Sequence, residues 1–275
     1  MEKKRLAPHD PSSSVRTTNR KGRSPVVLVC DHASNFIPAQ FGTLGLDDSE
    51  LTRHIAWDPG AAPVARLMAA ALDAVLVESQ VSRLVIDCNR PLDSPDLISP
   101  LSETTPIPGN AQLSPAERAE RIALAYEPFH AAIEGVVAAR LAAGRETQLV
   151  SVHSFTPVYK QVPRPWHIGI LHDDDTRLSA PLIAALEARG GIVVGDNQPY
   201  SPADRVYFTL ERHARSRGLP CAMIEIRNDE IADEIGQRKW ADLLTGIFSK
   251  LEPEPLPKPS ATSKVGQAIE GTVQQ

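Results

Sequence analysis

Residues 26–32 have the sequence VVLVCDH, an apolar run that ends in Asp31 and His32. The same pattern recurs at LVIDCNR, QLVSVHS and CAMIEIR. Apolar runs of four to eight residues are typical of buried strands. Ligands bind at the carboxyl ends of the strands in open α/β sheets. The polar residues that follow these runs are therefore predicted to form one site.

Strand and helix signals alternate along residues 25–250 without an internal repeat. This alternation predicts one α/β domain with a mixed, mostly parallel central sheet and helices on both faces. Strands are predicted over residues 26–30, 75–77, 84–87, 148–152, 167–171, 192–194 and 222–226. Helices are predicted over residues 48–56, 61–72, 115–143, 178–189, 206–217 and 237–250.

Three segments are predicted to lie outside this alternation. Residues 1–24 are rich in Ser, Lys and Arg and are predicted to form a flexible arm. Residues 251–275 include PEPLPKPSATSK, a composition that predicts a disordered tail. Residues 91–113 contain five prolines and form a long predicted loop, and loops of this length inside a domain are usually functional.

The composition excludes several classes of protein. The net charge is -5 with no basic stripe, which gives little support for nucleic-acid binding. No apolar run is long enough to span a membrane, and the N-terminus lacks the apolar region of a signal peptide. The three cysteines, Cys30, Cys88 and Cys221, lie at or inside apolar runs and are expected to be small buried residues. Their odd number favours a reducing, cytoplasmic compartment, and a homo-oligomer stays open.

His32 and His153 follow or end apolar runs and are the candidate metal ligands. Catalytic zinc sites usually have three protein ligands, such as two His and a carboxylate, with water in the fourth position. Asp58 is the candidate third ligand, although an Asp at that turn is also suited to cap the next helix. Asp31 is a competing ligand, or else a partner that fixes a histidine tautomer. Zinc or another divalent metal is the expected cofactor.

Glu225 lies inside an apolar strand, where a carboxylate is costly unless it is paired or functional. We predict that it is the general base and then the general acid, with a structural ion pair to an Arg as the alternative. Arg227, two residues later, is a second catalytic candidate that would stabilise the oxyanion. Asn89, Arg90 and Arg83 are predicted to bind a substrate carboxylate, because a guanidinium can donate two parallel hydrogen bonds to it.

Six motifs resemble the N-formylglutamate amidohydrolase (N-formylglutamate deformylase) family over about residues 25–250. They are VCDHASNFIP, HIAWDPGA, VSRLVIDCNRP, IPGN, HSF and IEIRND. The first motif differs from the Pro-His-Ser-Gly run of the histidine-degradation enzymes. The match is closer to the branch of predicted N-formylglutamate amidohydrolases.

This family is similar in fold to zinc carboxypeptidases and aspartoacylase, which implies a zinc-exopeptidase-like (phosphorylase/hydrolase-like) fold. His153 then resembles the late zinc ligand of that group, Asn89-Arg90 its carboxylate-binding pair, and Glu225 its catalytic Glu. The usual His-x-x-Glu motif has Asn35 in place of Glu here, which leaves Asp58 as the expected carboxylate ligand.

The resemblance implies hydrolysis of an N-acyl amino acid, most simply N-formyl-L-glutamate to formate and glutamate. The substrate would be a small molecule. One alternative is a deacylase or carboxypeptidase that acts on another acyl amino acid or on a peptide. The other is a non-catalytic binding protein that has lost the metal, which the Asn at position 35 would favour.

Overall fold

The computed structural model describes residues 13–251. Within them, eleven strands form one seven-stranded sheet and two short hairpins. The strands are β1 (Val15–Thr18), β2 (Val26–Cys30), β3 (Val75–Ser79), β4 (Leu101–Ser102), β5 (Thr105–Pro106), β6 (Gln148–Phe155), β7 (Val158–Tyr159), β8 (Val162–Pro163), β9 (Ile168–Leu171), β10 (Val194–Asp196) and β11 (Cys221–Arg227).

The large sheet has the strand order β1-β3-β2-β6-β11-β9-β10. Strands β3, β2, β6 and β11 are parallel neighbours, and so are β9 and β10. Strand β1 is antiparallel to β3, and β9 is antiparallel to β11. The predicted mixed, mostly parallel sheet is confirmed.

The helices are α1 (Asp48–Leu51), α2 (Ala61–Leu72), α3 (Pro115–Arg121), α4 (Glu127–Ala142), α5 (Ser179–Glu187), α6 (Phe208–His213) and α7 (Glu234–Phe248). They cover both faces of the sheet, as predicted. Residues of α2, α5 and α7 pack with Val26 and Leu28 of β2 in one core cluster. Residues of α4 and α6 pack with Val27 and Val29 in a second cluster. Alternate residues of β2 therefore point to opposite cores, as the two-residue period of a strand requires.

Residues 84–87 do not form the predicted strand. They lie in a series of turns, in which the Val85 N–H donates to the Ser82 carbonyl oxygen and the Asp87 N–H to the Leu97 carbonyl oxygen. Leu84, Val85 and Ile86 are buried in a third core cluster under the 91–113 loop. Burial of the run was correctly expected, but its hydrogen bonds join the loop and not the sheet.

Val15–Thr18, within the predicted flexible arm, instead pairs with β3 at the edge of the sheet. Arg16 donates to both carboxylate oxygens of Glu78 at 2.9 and 3.2 Å, which anchors this strand. The rest of the predicted arm up to residue 12, and the predicted tail beyond residue 251, lie outside the described residues.

The long helix predicted from residue 115 is interrupted by a π-helical turn at Ile122–Tyr126. It begins as expected, with the Ser114 hydroxyl and the Glu117 carboxylate closing a capping box. The bend was predicted at Pro128, which has no N–H to donate, and the π turn lies just before it. The predicted helices over 48–56 and 206–217 are shorter in the structure and continue as turns.

All three cysteines are buried and free. None of the helices in residues 13–251 has the length and apolar content needed to cross a membrane.

A pair of buried histidines joins α4 to α6 in the second core cluster. His130 Nδ1 and His213 Nε2 are 2.8 Å apart. Burial lowers the pKa of His130 to about 3 and that of His213 to about 4, with nearby Arg212 acting in the same direction. Both rings are therefore neutral in the folded protein at neutral pH.

This histidine pair is expected to destabilise the protein in acid. Each ring binds a proton near pH 6.5 when unfolded but only near pH 3 to 4 when folded, so stability is full above pH 6.5 and falls below it. The free energy of unfolding should decrease from pH 7 to pH 5 in both the wild type and His213→Gln. The decrease should be smaller in His213→Gln by about 2 kcal/mol, because one of the two rings is absent. Urea denaturation at both pH values measures this, and equal losses would contradict it.

Candidate active site

Three parallel strands bring the predicted chemical residues to one edge of the sheet. His32 follows β2, His153 lies near the carboxyl end of β6, and Glu225 lies in β11. Glu225 is the register partner of His153 in the β6–β11 ladder. The rings of His32 and His153 lie 5.0 Å apart between centroids.

His32, Asp58 and His153 converge on one point. All three are buried, and their ligand atoms lie within 4.8 Å of one another. Asp58 Oδ2 is 3.3 Å from His32 Nδ1 and 2.8 Å from His153 Nδ1. Two imidazole nitrogens and one carboxylate oxygen are the donor set of a catalytic zinc site, with bonds of about 2.0–2.2 Å. These residues therefore fit a divalent cation with small adjustments of the side chains.

The Asp58 side chain serves this cluster and does not cap the following helix. The N-cap of α2 is Gly60, in the left-handed region at φ 81°. A Cβ on Gly60 would lie 2.4 Å from the Ile231 carbonyl oxygen, so only glycine fits here. The Asp58 N–H donates to the His32 carbonyl at 3.0 Å, and the Ser154 N–H donates to the Asp58 carboxylate at 3.3 Å.

A second carboxylate holds the far nitrogen of each ring. Asp87 Oδ1 is 2.7 Å from His32 Nε2, and Asp31 Oδ2 is 3.0 Å from His153 Nε2. Such partners fix the orientation and tautomer of histidines that ligate metals. Asp31 therefore has the position of a residue that orients His153, which is one of the two roles considered for it. The sequence did not indicate the contact of Asp87 with His32, because residues 84–87 were predicted to form a strand.

The cluster is strongly polarised by its internal contacts. Burial opposes ionisation of Asp58, but the charge of His32 and hydrogen bonds from both histidines hold its pKa well below the usual range. Burial also opposes protonation of His153, but hydrogen bonds to Asp31 and Asp58 raise its pKa well above the usual range. Asp58 is therefore ionised, as a metal ligand must be.

Glu225 is a buried carboxylate with a free oxygen. Its Oε2 atom has no hydrogen-bond partner within residues 13–251. The alternative, an ion pair with an arginine, does not form among the described residues. Burial raises the pKa of Glu225 to about 7, against the opposing charge of His153. A carboxylate with a pKa near neutrality can both accept and donate a proton at that pH.

The three residues predicted to bind carboxylate have different surroundings. Arg83 donates to Asp58 at 3.4 Å and to Asp87 at 3.0 Å, so its charge supports the cluster. Asn89 is buried, its amide NH₂ donates to the Val206 carbonyl, and its oxygen accepts from the Thr209 N–H at 3.0 Å. These bonds use one amide hydrogen and the oxygen of Asn89 to hold the start of α6. Asn89 also lines the cavity described below, and its role in binding a carboxylate stays a prediction.

Arg90 lines the cavity described below and donates to the carbonyl oxygens of Asp204 and Arg205 at 3.2 and 2.6 Å. Arg227 does not line it, and the catalytic role of Arg227 stays a prediction. Its guanidinium pairs with Asp229 at 2.7 Å and Glu230 at 3.3 Å. It also reaches the carbonyl oxygens of residues 164–166 at 3.4–3.5 Å, so it supports the segment between β8 and β9.

A cavity of about 300 Å³ opens over the cluster. Its inner wall includes the three candidate ligands, Glu225 and Arg83. The predicted 91–113 loop supplies part of the outer wall, including Ser102 and Glu103 of the β4–β5 hairpin. Arg53 fastens this hairpin to α1 through Glu103 at 3.0 Å. The cavity is large enough for a small polar molecule and places it against the cluster.

Thr209 is a further site residue that the sequence did not indicate. Its hydroxyl donates to Asp31, the carboxylate that holds His153, and its N–H is held by Asn89. Thr209 is completely buried, so no water can replace its hydroxyl without rearrangement. A threonine near the start of a short helix carries no recognisable signal in one sequence.

The Thr209→Val variant is expected to bind zinc about tenfold more weakly, the lower end of the effect of losing a direct partner of a ligand, because Thr209 acts through Asp31. Thr209→Ser keeps the hydroxyl and should retain most of the affinity. Competition with a chromophoric chelator measures both variants. Equal affinities of the Thr209→Val and Thr209→Ser proteins would show that the hydroxyl does not position the site.

Comparison with known proteins agrees with this geometry. A sequence model of the N-formylglutamate amidohydrolase family matches residues 24–232. The crystal structure of a gene product from Agrobacterium tumefaciens is 46% identical, with a TM-score of 0.86, and the match covers 88% of this chain and 95% of that one. No curated protein matches the sequence.

The N-formylglutamate amidohydrolase from Ralstonia eutropha JMP134 has the same fold at 22% identity, with a TM-score of 0.62 over 86% of this chain and 96% of that one. The family match covers most of the described residues and includes both histidines, Asp58 and Glu225. The chain therefore belongs to the N-formylglutamate amidohydrolase family.

Proposed function

We propose that the protein is a zinc-dependent amidohydrolase that converts N-formyl-L-glutamate and water to formate and L-glutamate. The observation that carries the proposal is the convergence of His32, Asp58 and His153 in a cavity where one Glu225 oxygen has no partner among residues 13–251. Family membership supports hydrolysis of an amide bond. The donor set supports a divalent cation, and zinc suits two imidazoles and a carboxylate best.

The bound cation would be held by His32, Asp58 and His153 and would polarise the acyl oxygen and lower the pKa of water. Glu225 takes a proton from the attacking water as the new C–O bond forms. The same carboxyl group then returns this proton to the amide nitrogen as the C–N bond breaks. The raised pKa of Glu225 suits it to both transfers.

The remaining charged residues hold this arrangement. Asp31 and Asp87 orient the two histidines through their far nitrogens. Arg83 balances the two carboxylates that it contacts, Asp58 and Asp87. Arg83 and Arg90 are the guanidinium groups of the cavity lining, and they are the candidates to donate hydrogen bonds to a substrate carboxylate.

A substrate panel tests the proposal. Purified protein loaded with zinc is assayed for free amine and formate with N-formyl-L-glutamate, N-acetyl-L-glutamate, N-formyl-L-methionine and a dipeptide. The expected result is preferred cleavage of N-formyl-L-glutamate, loss of activity with a chelator, and recovery with zinc. Preferred cleavage of another compound would show that N-formyl-L-glutamate is not the substrate. Binding without any cleavage would indicate a non-catalytic binding protein.

A further inference from the structure

Arg164 is a largely buried cation that has no acidic partner among the described residues. It is 8% exposed, and no carboxylate in residues 13–251 lies within ion-pair distance of its guanidinium. Three aromatic rings surround it instead, with centroids 4.6 Å (Tyr159), 4.7 Å (Tyr200) and 5.8 Å (Phe155) from its central carbon. Its NH1 group donates to the Tyr200 hydroxyl oxygen at 3.0 Å.

Burial of a charged group without a counter-ion is costly, so buried arginines are almost always paired. Stacking on aromatic faces recovers only part of that cost. The aromatic residues that enclose Arg164 all line the cavity over the metal cluster, although Arg164 itself does not. An anion in this part of the cavity would supply the missing negative charge.

Tyr200 can hydrogen-bond to Arg164 and to a ligand in the cavity at the same time. A phenolic oxygen can accept one hydrogen bond while its own O–H donates another. The Tyr200 oxygen accepts from Arg164, and its proton has no acceptor within the described part of the chain. The guanidinium also makes that O–H a stronger donor, because bonds in a chain polarise one another.

The Tyr200 wall lies next to the reacting groups. Phe155 follows His153 by two residues in β6, so both side chains point to the same face of the sheet. Tyr200 is also close enough to Glu225 and Arg83 for their charges to act on it. A molecule held at the metal cluster would therefore lie against Tyr200.

We propose that Tyr200 and Arg164 form a subsite for a carboxylate of the acyl amino acid, with Tyr200 donating to it and Arg164 as the positioning residue behind. This subsite adds to the predicted carboxylate-binding residues, of which Asn89 and Arg90 also line the cavity. The inference rests on the proposed hydrolase function, because that function brings a carboxylate substrate to the cavity.

Binding of N-formyl-L-glutamate tests the subsite without turnover. Calorimetry is performed on zinc-loaded Glu225→Gln protein, with and without Tyr200→Phe, Arg164→Met or Arg164→Lys. Loss of a hydrogen bond to a charged group should weaken binding about tenfold or more in Tyr200→Phe. Arg164→Met should show a similar loss of affinity, and the double variant with Tyr200→Phe should lose little more than either single variant. Arg164→Lys should bind more tightly than Arg164→Met. Tyr207→Phe, a buried tyrosine outside the cavity wall, is the matched control.

Two amides identify which carboxylate is bound. N-formyl-L-glutamine lacks the side-chain carboxylate and N-formyl-L-isoglutamine lacks the α-carboxylate. Tyr200→Phe should weaken binding least for the amide that lacks the carboxylate bound at this subsite. Equal affinity of Tyr200→Phe and its parent for N-formyl-L-glutamate, or an equal loss with all three compounds, would overturn the subsite. A different outcome would refute only the proposed hydrolysis. In it, the Tyr200 and Arg164 variants weaken binding as expected, but the wild-type protein does not cleave N-formyl-L-glutamate.

Discussion

The His153→Ala variant is expected to lose both its bound zinc and its hydrolase activity. His153 Nδ1 is one of three converging donors, and its Nε2 is held by Asp31. Removal of the ring leaves two protein ligands and takes one partner from each of two buried carboxylates, Asp31 and Asp58. Zinc content after dialysis and release of formate from N-formyl-L-glutamate are the two measurements.

A histidine outside the cavity is the control for this experiment. His172 follows β9, contacts Asp173 and Asp196, and does not line the cavity. His172→Ala should keep stoichiometric zinc and near-normal activity. Stoichiometric zinc in His153→Ala would contradict the assignment of His153 as a ligand. Activity of His172→Ala without bound zinc would contradict the requirement for a metal.

Glu225→Gln should have the second large effect, with zinc retained and turnover lost. The amide has nearly the same shape as the carboxylate but cannot take the proton from water. Loss of a general acid–base group typically lowers kcat by about 10²- to 10⁴-fold. Thermal stability should not fall, because the variant replaces a buried, unpaired carboxylate by a neutral group.

Steady-state kinetics, zinc analysis and a melting curve are needed together for Glu225→Gln. Glu187→Gln, on the exposed face of α5, is the matched control and should behave as wild type. Near-normal kcat in Glu225→Gln would remove Glu225 from the mechanism. Loss of zinc would mean that Glu225 holds the cation and does not act on water.

Much of the site could be predicted because strands display their residues in a fixed order. His32, His153 and Glu225 end or interrupt apolar runs, and parallel strands place such positions at one edge of a sheet. Asp58 was recognisable as the acid at a turn before α2. Sequence period and strand direction therefore predict which side chains can meet.

The differences between expectation and structure come from contacts that one sequence does not specify. Residues 84–87 have the composition of a strand, but the hydrogen-bond partner of Asp87 N–H is Leu97, in the long loop. Asn89 lines the cavity as a substrate-binding residue would, but its contacts with Val206 and Thr209 have no signal in the sequence. Arg227 ends the strand that carries Glu225, but Asp229 and Glu230 pair with its guanidinium. One sequence does not show which of several acceptors a side chain reaches.

Anomalous X-ray diffraction at the zinc absorption edge, from crystals of the zinc-loaded protein, tests the central claim most directly. The account predicts one strong anomalous peak within about 2.0–2.2 Å of His32 Nδ1, His153 Nδ1 and an Asp58 oxygen. A peak coordinated by other residues, or none at this cluster in an active enzyme, would contradict it.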